Sequence, residues 1–177
     1  IGGFASAKSY GIPQPSYLLI NDGKGVFKSA KEYEPLFKEL GMVTSSSFAD
    51  INNDGWFDLI VAGEWMPVKI FLNNKGTLAA ANILQSTGLW QTLYPNDING
   101  DGFIDILAGN WGLNSKLNKE EDGILKLYIK DFDNNGATEQ VMAYTIEGKE
   151  YTFLVKDELE KALPVLKKTF LSYGQAA

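Results

Sequence analysis

The chain has 177 residues, 45% of them hydrophobic and 21% charged, which suits a domain with a buried core. A net charge of −6 argues against a nucleic-acid binder, which needs a basic face to displace phosphate counterions. Cysteine and histidine are both absent, which excludes disulfides, thiolate zinc sites, histidine general bases and a Ser-His-Asp triad.

The opening Ile1-Gly2-Gly3-Phe4 reads as the interior of a strand. The chain is therefore expected to be part of a longer protein, a processed mature end being the alternative. Tyr17-Leu-Leu-Ile-Asn21 and Val26-Phe27, joined through Asp22-Gly-Lys-Gly25, predict a hairpin. Residues 29–40 predict a helical turn interrupted at Pro35. A second hairpin is predicted from Val68 to Asn73, through Asn74-Lys-Gly76, into Thr77 and Leu78. Residues 156–170 carry Leu159, Leu163, Leu166 and Phe170 on one helical stripe, with a break expected at Pro164. No apolar run approaches the roughly 18 residues that span a bilayer, so no membrane insertion is expected.

An internal repeat organises the middle of the chain. Residues 41–58 (GMVTSSSFADINNDGWFD) and 88–105 (GLWQTLYPNDINGDGFID) align at an offset of 47, Gly41 on Gly88 and Asp50 on Asp97. Each block runs into a short apolar stretch ending Ala-Gly-x-Trp, at Trp65 and Trp111. The second stretch is one residue shorter, so its register or a bulge must differ. The unit reads strand, glycine turn, strand, connector, strand, acidic loop, strand. Four strands per 40–50 residues is the pattern of propeller blades, which bury their faces by stacking on neighbours.

Three segments share the pattern Asp-x-Asx-x-Asx-Gly-x-x-acid. They begin at Asp50 (then Asn52, Asp54, Gly55, Trp56 and Asp58), at Asp97 (then Asn99, Asp101, Gly102, Phe103 and Asp105) and at Asp131 (then Asp133, Asn135, Gly136, Ala137 and Glu139). Side-chain oxygens at positions 1, 3, 5 and 9, with the carbonyl of position 7, can wrap a calcium ion. Calcium takes about six to eight oxygens in forgiving geometry. The glycine at position 6 supplies the positive φ a tight wrap needs. Each loop holds three acids, and three bound Ca²⁺ would offset the chain's net charge of −6. The alternative is that Asp, Asn and Gly are turn formers and the loops are plain turns. In the third loop Asn135 replaces an Asp and Glu139 replaces the final Asp, so it stands as a possible third site beside two expected ones. EF-hands and dockerins need an acid near position 12 and a following helix, whereas position 12 here is Val61, Ala108 or Met142 in strand-like surroundings.

These residues resemble FG-GAP (VCBS-type) repeats, known from integrin α-subunit propellers and large secreted bacterial proteins. The Ile-Gly-Gly opening, the strand at 17–21 and the loop from Lys130 to Gly136 are similar to the bacterial ASPIC/UnbV-associated kind. The resemblance covers about residues 1–150. It implies a β-propeller, an extracellular, cell-surface or periplasmic location, and calcium held by Asp50, Asn52, Asp54, the Trp56 carbonyl and Asp58, with the equivalent second set. About three blades are expected, whereas a closed propeller needs at least four, so closure would require further blades, a partner or an open arrangement.

Repeated tryptophans are expected to pack between blades, with sugar stacking by exposed ones as the alternative. Trp90 is expected in the core. Without histidine the serines of 45–47 have no activating base, and carboxylates holding calcium are poorly placed for glycoside hydrolysis. The fold class expected is all-β, with propeller-like four-stranded blades over 1–155 and a helical segment over 156–177. The function expected is non-catalytic binding or scaffolding of an unidentified protein or glycan. A polysaccharide-active enzyme, or a homo-oligomer pairing through open blade edges, is the alternative.

Overall fold

The computed structural model describes residues 1–81, 86–112 and 124–169. It resolves into two compact units, one of Ile1–Ser6 with Ile12–Trp111, the other of Ala7–Gly11 with Gly112–Ala177. The described structure is mostly β, in small antiparallel sheets that do not close into a barrel.

In the first unit, after β1 (Ala5–Ser6), the strands β3 (Leu19–Asn21) and β4 (Phe27–Ser29) form the first hairpin; β2 (Ser9–Pro13) lies between β1 and β3 in sequence. A 3-10 turn (Lys31–Tyr33) then runs straight into α1 (Glu34–Phe37). Pro35 thus does not interrupt the helical connector. It sits in the first turn of α1, where its missing N–H leaves no bond unmade. Four strands follow as an antiparallel meander: β5 (Met42–Ala49), β6 (Asp58–Met66), β7 (Lys69–Asn74) and β8 (Thr77–Ala80). This is one complete four-stranded blade. The β7–β8 turn is Lys75-Gly76, both at positive φ (53° and 95°), which a two-residue hairpin requires.

The strand β6 reads Asp-Leu-Ile-Val-Ala-Gly because both its faces are covered. Leu59 and Val61 join Phe37, Leu40, Val43, Met66 and Phe71 on one side, where Phe37 meets Phe71 edge-on at 5.3 Å. Ile60 and Ala62 join Ala49, Val68 and Leu93 on the other. Ile60 is 0% exposed, and truncating such a side chain to Ala costs about 2–5 kcal/mol. Gly63 has to be glycine, since a Cβ there would lie 2.0 Å from the Met42 carbonyl oxygen.

The next blade begins with β9 (Gly88–Asn96) and β10 (Asp105–Asn110). At Trp65 (φ 59°) β6 kinks, and its end pairs with β9, Glu64 opposite Leu89 and Met66 opposite Gly88. The shorter second repeat carries the expected irregularity, a register shift between Gly109 and Asn110. Ile106 and Ala108 face the second core cluster, whereas Leu107 and its cross-strand partner Tyr94 are exposed. Trp90 packs against that cluster, as its position predicts. Trp111, expected to pack between blades, follows the end of β10 and is 52% exposed among the described residues.

The second unit holds β11 (Leu125–Lys130), β12 (Glu139–Ile146) and β13 (Lys149–Thr152), a three-stranded antiparallel sheet. Glu147 and Gly148, at φ 49° and 74°, make its second turn. After it come α2 (Lys156–Ala162) and α3 (Leu166–Thr169), with Pro164 between them as expected; Phe170 lies outside the described residues. In α2 the buried Glu160 is paired with Lys156 one turn earlier.

Candidate functional site

Each acidic loop joins two neighbouring antiparallel strands. The first (loop 1) links β5 to β6 and the second (loop 2) links β9 to β10, both in the first unit; the third (loop 3) links β11 to β12 in the other. In all three the position-1 carboxylate accepts from the N–H groups of positions 5 and 6. Asp50 takes Asp54 N at 3.0 Å and Gly55 N at 2.8 Å; Asp97 takes Asp101 N and Gly102 N at 3.1 and 2.9 Å; Asp131 takes Asn135 N and Gly136 N at 3.0 and 2.9 Å. Position 3 also accepts from the N–H of position 5, and position 5 accepts from that of position 7. The position-9 carboxylate closes the loop on the N–H of position 2: Asp58 on Ile51 (3.0 Å), Asp105 on Ile98 (3.0 Å) and Glu139 on Phe132 (2.8 Å). The glycines at position 6 lie at φ 86–88°. One nine-residue scaffold is thus built three times, and backbone dipoles offset part of the crowding of its carboxylates.

Such bonds alone do not make a metal site. The hairpin turn after β3 also has Asn21 and Asp22 accepting from N–H groups two and four residues on, and among the described residues it belongs to no converging acidic group. What distinguishes loop 3 is convergence. Asp131, Asp133 and Glu139, all half-buried, each bring a carboxylate oxygen within 4.8 Å of the others. Among the described residues this is the one such group of three acids, histidines or cysteines. Loops 1 and 2 carry Asn at position 3, and its Nδ2 donates to the position-5 carboxylate, Asn52 to Asp54 at 2.9 Å and Asn99 to Asp101 at 3.0 Å. Their three carboxylates are correspondingly less gathered. The loop read from sequence as the least regular thus has the tightest acidic cluster: with Asp at position 3 in place of position 5 and Glu at position 9, its three carboxylates come together.

The donor set is all oxygen, which fits a hard cation such as Ca²⁺ or Mg²⁺ and disfavours soft or nitrogen-seeking metals. Asp58 has a further task. It is 0% exposed, and its second oxygen accepts from Asn73 N at 2.7 Å, tying loop 1 to the β7–β8 hairpin. Asn73 in turn donates from Nδ2 to the Phe57 carbonyl (2.9 Å). In the sequence Asn73 marks only the end of a hairpin strand; its link to loop 1 depends on β7 lying beside β6, which no local pattern shows.

Away from the loops, Tyr128 donates to Glu150 at 2.6 Å and Lys126 lies 3.2 Å from the same oxygen. The Tyr128 hydroxyl, then Lys126, hold the Glu150 carboxyl below its ordinary range. Lys69, whose ammonium donates to the Leu40 carbonyl at 2.8 Å, has its pKa lowered by burial.

Fold and loops together define a class: blades of propeller type, each with an Asp-x-Asx loop between two of its strands. The sequence matches the FG-GAP-like repeat family over residues 5–61 and again over 50–108, and the chain belongs to that family. No curated protein and no solved structure matched it. Among the described residues no helix is long and apolar enough to cross a membrane.

Proposed function

We propose that the chain is a calcium-binding, non-catalytic propeller module of a larger secreted or surface-exposed bacterial protein, and that it binds or scaffolds a protein or glycan. The observation that carries this reading is the convergence of Asp131, Asp133 and Glu139 on a scaffold whose backbone-to-side-chain bonds loops 1 and 2 share. In loop 3 the ion would be held by Asp131, Asp133, Asn135, Glu139 and the Ala137 carbonyl. In the first unit it would be held by Asp50, Asn52, Asp54, Asp58 and the Trp56 carbonyl, and by Asp97, Asn99, Asp101, Asp105 and the Phe103 carbonyl. The ion supplies positive charge where three acids meet, and so pins the end of two strands. With a neutral Asn in every loop, affinity is expected at about 10⁻⁴–10⁻³ M, the range of extracellular modules.

A non-catalytic role is supported by the absence of His and Cys and by the engagement of every loop acid in the scaffold. Trp56, Phe57 and Phe103, exposed at 44, 65 and 61%, offer apolar surface to a protein or sugar ligand beside loops 1 and 2. A homo-oligomer through strand edges is the second reading, since among the described residues β8 and β10 end the main sheet.

The test is a thermal melt after EDTA treatment, with and without a few millimolar CaCl₂. Calcium at ten times its Kd stabilises by about 1.4 kcal/mol per site, which raises the midpoint by about 3–6 °C per site for a chain of this size. An unchanged midpoint would mean that the loops are plain turns.

A further inference from the structure

Loops 1 and 2 touch. The Asn53 side chain, at position 4 of loop 1, donates from Nδ2 to the Gly102 carbonyl, at position 6 of loop 2, at 3.0 Å. The strands beneath fix this approach. Since β5 and β9 are each antiparallel to β6, they run in the same direction and deliver their loops to the same end of the unit. Thr44 Oγ1 donates to the Trp90 carbonyl (2.8 Å) and Ser45 Oγ accepts from Leu93 N (3.1 Å), so the two strands are stapled side by side a few residues ahead of the loops.

From this we infer that loops 1 and 2 bind their cations as a positively coupled pair, with the Asn53 amide as the link; the inference rests on the calcium reading above. Gly102 N–H is held by Asp97, and the next N–H, of Phe103, by Asp101. A cation that fixes Asp97 and Asp101 therefore fixes the 102–103 peptide, whose carbonyl is the acceptor for Asn53. Asn53 stands between Asn52 and Asp54, ligand positions 3 and 5 of loop 1, in the left-handed region at φ 57°. Ordering it orders both neighbours before their ion arrives, which lowers the entropy lost on binding. By linkage, a filled loop 1 favours loop 2 to the same degree. The corresponding residue of loop 2 is Gly100, which has no side chain to reach onward, so the link belongs to this pair.

Trp56 occupies position 7 of loop 1, where loop 2 has Phe103, so the part of the tryptophan-sensitised terbium emission that Trp56→Phe removes is taken as the loop 1 signal. The full chain is titrated with Tb³⁺ under tryptophan excitation, as the wild type and with loop 2 disabled by Asp101→Ala. The loop 1 midpoint is expected to rise about two- to tenfold in Asp101→Ala, the range one hydrogen bond carries. In an Asn53→Gly background, which keeps the positive φ and copies Gly100, Asp101→Ala should no longer move the midpoint. If Asn53→Gly folds poorly, Asn53→Asp serves instead, since Asp tolerates this φ but cannot donate. Coupling is refuted if Asp101→Ala leaves the loop 1 midpoint unchanged, tightens it through relief of cation repulsion, or shifts it equally with and without the Asn53 amide. Sensitised emission absent from every protein would refute the cation reading itself, and the coupling with it.

Discussion

Replacing Asp58 with Ala separates what the acidic loop does for folding from what it does for a cation. Both Asp58 oxygens accept backbone N–H groups, from Ile51 and Asn73, and the residue is fully buried. The substitution strands two donors, and a buried donor without a partner costs about 1–3 kcal/mol. Ile51 and Asn73 are only half-buried, so water recovers part of the loss, and the expected total is about 2–4 kcal/mol. For a chain of this size that lowers the melting midpoint by about 5–15 °C. The matching residue of loop 2 is the control. Asp105 is half-buried and, among the described residues, closes on Ile98 N alone, whose residue is 57% exposed, so Asp105→Ala is expected to cost about 1 kcal/mol. Both are measured by circular dichroism melts in EDTA, where no cation contributes. Equal losses for the two variants would show that the Asn73 link carries no stability, and the account of Asp58 as a brace would fail.

The position-5 acids should behave in the opposite way: Asp54→Ala and Asp101→Ala are expected to lower the midpoint in calcium and barely in EDTA, and equal shifts in both buffers would refute a structural role for the ion. Gly63→Ala forces a Cβ onto the Met42 carbonyl oxygen and is expected to cost more than about 2 kcal/mol in urea unfolding; a loss below about 0.5 kcal/mol would mean that the β5–β6 pair yields easily. On the second sheet, Tyr128→Phe removes the largest influence on Glu150, whose titration followed by carboxylate carbon NMR should move up toward the ordinary glutamate value. The sign follows from a depressed folded pKa: the interaction is complete above the unfolded pKa and is lost as pH falls through the folded one. An unmoved Glu150 titration in Tyr128→Phe would mean that Lys126 alone sets it.

The sequence by itself determined the repeat, the hairpins and the nine-residue loops. These are local: an Asx side chain reaches only a few residues, Gly at position 6 answers a backbone need within its own turn, and Lys75-Gly76 sets a two-residue turn. The continuous apolar run of β6 was equally legible, yet β10 reads almost the same and has one face exposed at Leu107. Burial depends on what lies across the sheet, and one strand's sequence does not carry it. Only the tertiary structure decided that Asp58 is a buried brace while Asp105 is half-buried, because β7 brings Asn73 to one and, among the described residues, no strand stands in that place for the other. Only it set Asn53 against Gly102, a contact across 49 residues made by two strands that share β6 as a neighbour. Loop chemistry is written within reach of a side chain, whereas partnership between loops follows from strand order.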